Sequence, residues 1–80
     1  MIKARVTVTL KTGVLDPQGK AIEHALDGLG FSGVGQVRQG KVFDIVLDTS
    51  DRAKAEAELK DMAAKLLANT VIEDFSVEVL

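Results

Sequence analysis

The hexapeptide Gly28-Leu29-Gly30-Phe31-Ser32-Gly33 has the G-x-G-x-x-G spacing. That spacing cradles a dinucleotide pyrophosphate when the glycines follow a strand and open a helix. Here they close a helix-patterned segment and lead into an extended one, so no helix N-terminus is offered to a phosphate. The hexapeptide reads as a helix cap followed by a loop. His24 is the only histidine. Without a cysteine or a second histidine it has no co-ligands for a metal. Lys20 and Asp27 give it only solvated neighbours, so a general-base role lacks an orienting partner. Ser32 sits among glycines, without the strained strand-to-helix elbow of a nucleophilic serine. The carboxylates scatter over helix surfaces and loops with no close pair, and Asp48 and Asp51 read as helix-start residues. No catalytic residue, no metal site and no cofactor-binding site is expected in this chain.

Eighty residues hold one small domain, residues 1–80, with a single core. A chain of this size buries only about 60–65% of the surface that its unfolded form exposes, so added contacts with a partner would help it. The absence of cysteine rules out a disulfide framework and suits a reducing compartment. Neither a membrane span nor a signal peptide is visible, and a cytoplasmic protein is expected. Twelve acidic against ten basic residues leave a net charge of −2, the wrong sign for phosphate-backbone binding. A 46% hydrophobic content beside 28% charged residues argues against disorder.

The elements that must position any functional surface follow from periodicity. Ile2, Ala4, Val6, Val8 and Leu10 alternate with Lys3, Arg5, Thr7, Thr9 and Lys11, the pattern of a strand with one buried face. Asp16-Pro17 predicts a helix start, with Asp16 as N-cap and Pro17 at the first helical position. Ile22, Ala25, Leu26 and Leu29 form its apolar stripe. Gly30 and Phe31 fit the C′ and C″ positions of a Schellman motif, with Leu26 at C3. Val34 to Arg38 and Lys41 to Asp48 read as a hairpin around a Gln39-Gly40 turn, with Val34 facing Ile45 and Val37 facing Val42. Ser50-Asp51 opens a second helix whose stripe is Leu59, Met62, Ala63, Leu66 and Leu67, with Glu56–Lys60 and Asp61–Lys65 as favourable pairs four apart. Asn69-Thr70 stops it. Val71 to Leu80 is the last strand, with Val71, Phe75, Val77 and Val79 on one face. The order βαββαβ predicts an α+β, ferredoxin-like fold: a four-stranded antiparallel sheet with two helices on one face. That fold names no function by itself.

Sheet-type RNA binders stack bases on exposed aromatics of the central strands. The outward positions of the first strand are Lys3, Arg5, Thr7 and Thr9, and the chain has no Tyr or Trp, so nucleic acid is not expected as a partner. What the pattern leaves over is apolar. Val37, Val42 and Val46, with Ile72, point away from the predicted core and are candidates for a homodimer face. Leu15 occupies the N′ position, but its staple partner at N4 is Lys20, so that local explanation fails. Val14 and Leu15 either tuck under the sheet edge or contact another chain. Gly13, Val14, Leu15, Asp16 and Gln18 form one candidate contact region, and Arg38, Gln39 and Lys41 at the predicted hairpin tip a second.

The runs VTLKTGVLDPQGKAIEHALDGLGF, VGQVRQGKVFDI and LLANTVIEDFSVEVL, which span nearly the whole chain, resemble the small PurS-type subunit of phosphoribosylformylglycinamidine synthase. One departure is visible: the family commonly carries proline before the last strand, where this chain has Thr70, which relaxes the backbone there. The resemblance implies the fourth step of purine biosynthesis, in which nitrogen replaces the amide oxygen of formylglycinamide ribonucleotide. ATP and glutamine are used by the partner subunits, a large synthetase and a glutaminase. It further implies that this chain is non-catalytic, acts as a dimer, joins the other two subunits and assists the passage of ammonia between them. The same topology also occurs in ACT-type modules that bind amino acids at subunit interfaces, which is the alternative expectation.

Overall fold

β1 (Ile2–Leu10) is the central strand of a three-stranded antiparallel sheet in the order β2-β1-β3, with β2 spanning Gly40–Leu47 and β3 Glu73–Val79. The structure, a computed structural model, describes residues 1–80. Alternation along β1 places Ile2, Ala4, Val6 and Val8 in the core and Lys3, Arg5 and Thr9 in solvent. The register sets Val6 between Phe43 and Val77, and Ala4 between Ile45 and Val79. On the opposite face Arg5 pairs with Asp44 at 2.9 Å and Lys11 with Asp74 at 2.6 Å. Both pairs are exposed, so solvent screening leaves them little weight in stability.

Two helices accompany the sheet: α1 (Pro17–Gly28) and α2 (Arg52–Met62). Asp51 caps α2, its carboxylate accepting from Lys54 N–H at 3.1 Å. α2 lies across β1 and β3, and its Ala55 and Leu59 are fully buried. Both pairs four apart form on its wet side, Glu56–Lys60 at 3.3 Å and Asp61–Lys65 at 2.9 Å. The helix continues as a π-helical turn, Ala63–Leu67, closed by Ala68 N–H donating to the Ala63 carbonyl. A π turn carries one more residue per turn than an α turn. Ala63 and Ala68 thereby stay buried while Leu66 swings out to 83% exposure.

Four expectations are corrected. The sheet has three strands and not four, because Val34 to Arg38 pairs with nothing in this chain: residues 32–38 make no main-chain hydrogen bond to one another or to the sheet. Gln39-Gly40 is therefore not a hairpin turn, and the pairings Val34–Ile45 and Val37–Val42 do not exist; Val42 lies opposite Thr7 and Ile45 opposite Ala4. The last strand begins at Glu73, not Val71. Asn69 and Glu73 close a turn there, the Asn69 carbonyl accepting from Glu73 N–H at 2.7 Å and the Glu73 carboxylate accepting from Asn69 N–H at 2.7 Å. Leu66 leaves the core for the reason just given.

The fourth correction is the largest. α1 does not lie on the sheet and makes no substantial contact with any other element. A nine-residue strand is about 30 Å long and a twelve-residue helix about 18 Å. Laid end to end they account for a long axis of 48 Å, against 25 and 14 Å for the other two. The radius of gyration is 16.1 Å, where a compact domain of this length has about 12 Å. No helix is long and apolar enough to cross a membrane.

Candidate functional site

The projecting part is an arm of two limbs, α1 going out and residues 31–39 coming back. Its tip is set by local chemistry. Gly30 has φ +97°, a left-handed conformation that glycine adopts at no steric cost. Phe31 N–H donates to the Leu26 carbonyl and Gly30 N–H to the Asp27 carbonyl, each at 3.0 Å, which is the Schellman closure expected from the sequence.

The root of the arm is held by side chains. Asp16 is the N-cap of α1, and its Oδ1 accepts from Gly19 N–H at 2.8 Å. Its Oδ2 accepts from Gln39 N–H at 2.7 Å. One carboxylate therefore ties the outgoing limb to the end of the returning one. Only 6% of Asp16 is exposed, so both oxygens need those donors. The Gln39 and Gly19 amides, aided by nearby Arg38, hold its carboxyl below the usual aspartate range, against the upward push of burial. Arg38 binds back to the sheet, its guanidinium donating to the Leu10 and Lys11 carbonyls at 3.3 and 3.0 Å. At the crossing of the limbs, a Cβ on Gly19 would collide with the Val37 carbonyl oxygen.

Asp16 and Gln18 of one contact region read from the sequence thus adjoin Gln39 and Lys41 of the other. They meet at a cleft of ≈ 440 Å³ lined by Asp16, Pro17, Gln18, Gln39, Lys41 and Glu73, among others. Lys41 Nζ stands 3.7 Å from the Glu73 carboxylate across it. Asp16 itself is an internal fastening and does not present its carboxylate to a partner. Leu15, 69% exposed, points outward, while Val14 is half-buried. The four residues expected on one dimer face do not share one. Val42 and Val46 lie exposed on the polar side of the sheet, Val37 is on the arm, and Ile72 is in the turn before β3, where its carbonyl accepts from Lys11 N–H.

The larger apolar surface was not assigned from the sequence. Along α1, Gly19 is buried and Leu26 half-buried, but Ile22 and Ala25 are exposed, Leu29 is 74% exposed and Phe31 beyond the tip 58%. On the sheet, α2 packs on β1 and β3 without substantial contact to β2, and Phe43, Ile45 and Leu47 of β2 are half-buried, as are Phe75, Val77 and Val79 of β3. The missing signal is the stripe Ile22-Ala25-Leu26-Leu29 itself. It is correct as an amphipathic face, but nothing in a single sequence says whose sheet it covers. His24 is exposed on the other side of α1. No group of three or more His, Cys, Asp or Glu side chains is arranged to hold a metal ion.

Comparisons with known proteins agree with one another. A sequence model of the PurS family, described as phosphoribosylformylglycinamidine (FGAM) synthase, matches residues 3–80. The phosphoribosylformylglycinamidine synthase subunit PurS of Bacillus subtilis (strain 168) is 48% identical over 79 residues, which cover 99% of this chain and 93% of that one. The crystal structure of Methanocaldococcus jannaschii PurS, one of the subunits of formylglycinamide ribonucleotide amidotransferase in the purine biosynthetic pathway, superposes with a TM-score of 0.91. It is 42% identical, with 100% of this chain and 96% of that chain covered. A chain in the structure of PurLQS from Thermotoga maritima superposes with a TM-score of 0.90 at 29% identity, covering 99% and 96%.

Proposed function

This chain belongs to the PurS family of phosphoribosylformylglycinamidine synthase, and from that premise we propose that it is the non-catalytic coupling subunit of that enzyme in purine biosynthesis. It dimerises through its arm and joins a glutaminase to an ATP-dependent synthetase. ATP and glutamine are handled by those partners, and this chain binds no cofactor of its own. We place the assembly in the cytoplasm, whose reducing conditions suit a chain without cysteine.

One observation carries the reading: the chain leaves too much surface uncovered to act alone. Its accessible surface is 5632 Å². A compact monomer of 8.5 kDa exposes about 4,700 Å². The excess, on the order of 1,000 Å², is close to the roughly 800 Å² that each partner buries in a standard interface. The natural cover is a second copy. Ile22, Leu26, Leu29 and Phe31 of one arm lie over Phe43, Ile45 and Leu47 of the other sheet, and the reverse, in a closed two-fold contact. Each sheet then carries two helices on its apolar face, which completes the two-layer arrangement that a single copy leaves half built.

The chemistry of the coupled reaction explains why such a subunit is needed. Ammonia released into water is protonated, and ammonium is no nucleophile. Two active sites must therefore be held together with water excluded between them. That task asks for shaped surface and not for reactive side chains. We assign the contact with the larger subunits to the joined patch of Gly13, Val14, Leu15 and Gln18 with Arg38, Gln39 and Lys41. In the dimer this patch is present twice.

The test is assembly. Mixed with the glutaminase and synthetase in the presence of glutamine and ATP, the chain should migrate with both as one complex, while sedimentation of the chain alone should give a dimer. Migration with neither protein would end the proposal.

A further inference from the structure

The arm is joined to the sheet by two short connections, one ahead of Asp16 and one at Arg38-Gln39, and both pass through the same fastening. We infer that Asp16 is a positioning residue: by holding Gly19 N–H and Gln39 N–H with its two carboxylate oxygens, it fixes the angle at which the arm leaves the sheet and so directs it to a second copy. This rests on the dimer reading above. Three observations carry it. The first is that the bond to Gln39 is not needed for capping. An N-cap has only to satisfy a free N–H of the first helical turn, and Gly19 N–H at 2.8 Å already does that; the 2.7 Å bond to Gln39 is additional and joins positions 23 apart.

The second is that the limbs are fitted to each other at this point. Gly19 leaves no room for a Cβ against the Val37 carbonyl, and Arg38 ties the adjoining residue to the Leu10 and Lys11 carbonyls at the end of β1. The third is that α1 makes no substantial contact with the sheet or α2, so the angle is set at this root alone, by the Asp16 bonds together with those of Arg38. Without the Asp16 bonds, the outgoing connection becomes a hinge and the returning one is restrained only by the Arg38 side chain. The half-open row Phe43, Ile45 and Leu47 then lies within the same chain as the apolar face that can cover it, and the arm divides its time among orientations of which only one is ready to dock. Affinity falls by the fraction of time spent in that orientation. An arm correctly oriented about one tenth of the time weakens binding about tenfold, and two arms per dimer about a hundredfold.

Asp16→Asn separates the fastening from the cap. Asparagine is as good an N-cap as aspartate, so its carbonyl keeps Gly19 N–H, but its amide nitrogen turns a donor toward the Gln39 donor. Spin labels at His24→Cys and Ser76→Cys, both exposed, report the arm-to-sheet distance in labelled chains diluted with unlabelled ones. Sedimentation reports the dimer. With Asp16, a single narrow distance distribution and a dimer are expected. In the Asp16→Asn variant, helicity should be unchanged, the distribution broad, and dimer dissociation about a hundredfold easier. A dimer whose dissociation constant and distance distribution are the same in both proteins overturns the inference alone. A chain with Asp16 that stays monomeric at every concentration overturns the dimer reading, and the inference with it.

Discussion

Gly19 and Val37 touch where the two limbs of the arm cross, and no side chain fits between them. In an ordinary helix position, alanine for glycine stabilises by about 0.5–1 kcal/mol. Here the obstacle is a main-chain carbonyl, which cannot rotate away as a side chain can. Gly19→Ala should therefore destabilise the chain by about 1–3 kcal/mol. Gly28→Ala is the control, because a Cβ there meets nothing and no positive φ is required. It should raise the melting temperature by a few degrees. Thermal unfolding of the two variants should move in opposite directions.

Acid should loosen the arm before it unfolds the sheet. The folded carboxyl of Asp16 titrates below its ordinary value of 3.8, because the Gln39 and Gly19 amides favour the charged form. A group depressed in this way contributes stability that is complete above the ordinary value and is lost as pH falls through the lowered folded one. Amide exchange or arm-to-sheet distances should thus be constant from neutral pH to about pH 5 and change below about pH 4. In Asp16→Asn that step should be absent.

Leu29, at the C-cap of α1, is 74% exposed and Ile22, on α1, 39% exposed, and neither belongs to the core of its own chain. Replacing either with glutamate removes nothing from the core, so the circular dichroism of the isolated chain should be preserved. It places a charge where the second sheet would bury it, a cost of several kcal/mol. Dimers should therefore be lost in sedimentation while the fold remains. Unfolding of the variant instead would put α1 on its own sheet.

The π turn makes neighbouring leucines unequal. Leu59 is fully buried among Ala4, Val6, Val8 and Ala63, and Leu59→Ala should cost about 2–5 kcal/mol. Leu66, which the helical stripe groups with it, is 83% exposed. Leu66→Ala should change stability by less than about 0.5 kcal/mol. Urea unfolding of both chains gives the comparison.

These contrasts show which parts of the molecule are written locally. Asp16 as N-cap, the Leu26–Gly30–Phe31 closure and the alternation of β1 were all legible, because each depends on residues within a few positions of one another. The place of Val34 to Arg38 was not. A short extended run such as Val34-Gly35-Gln36-Val37-Arg38 is the same pattern whether it pairs with the next strand or leaves its own sheet. The decision rests on the bond of Asp16 to Gln39 and on the lashing of Arg38 to carbonyls far back in the chain, which no periodicity records. The exposed side of Leu66 was hidden for a related reason: one extra residue in a helical turn shifts every later position, and Ala63-Ala64-Lys65 carries no sign of it. The family was legible where the architecture was not, since GVLDPQG, LGF and VRQGK resemble it whatever they are folded against.

The central claim is that this chain couples two active sites and performs no chemistry itself. It is tested most directly by measuring FGAM formation by the glutaminase and synthetase with and without this chain, once with glutamine and once with ammonia as the nitrogen source. Glutamine-dependent synthesis should require the chain, and ammonia-dependent synthesis should proceed largely without it. Equal dependence on the chain for both nitrogen sources, or turnover by the chain alone, would contradict the account.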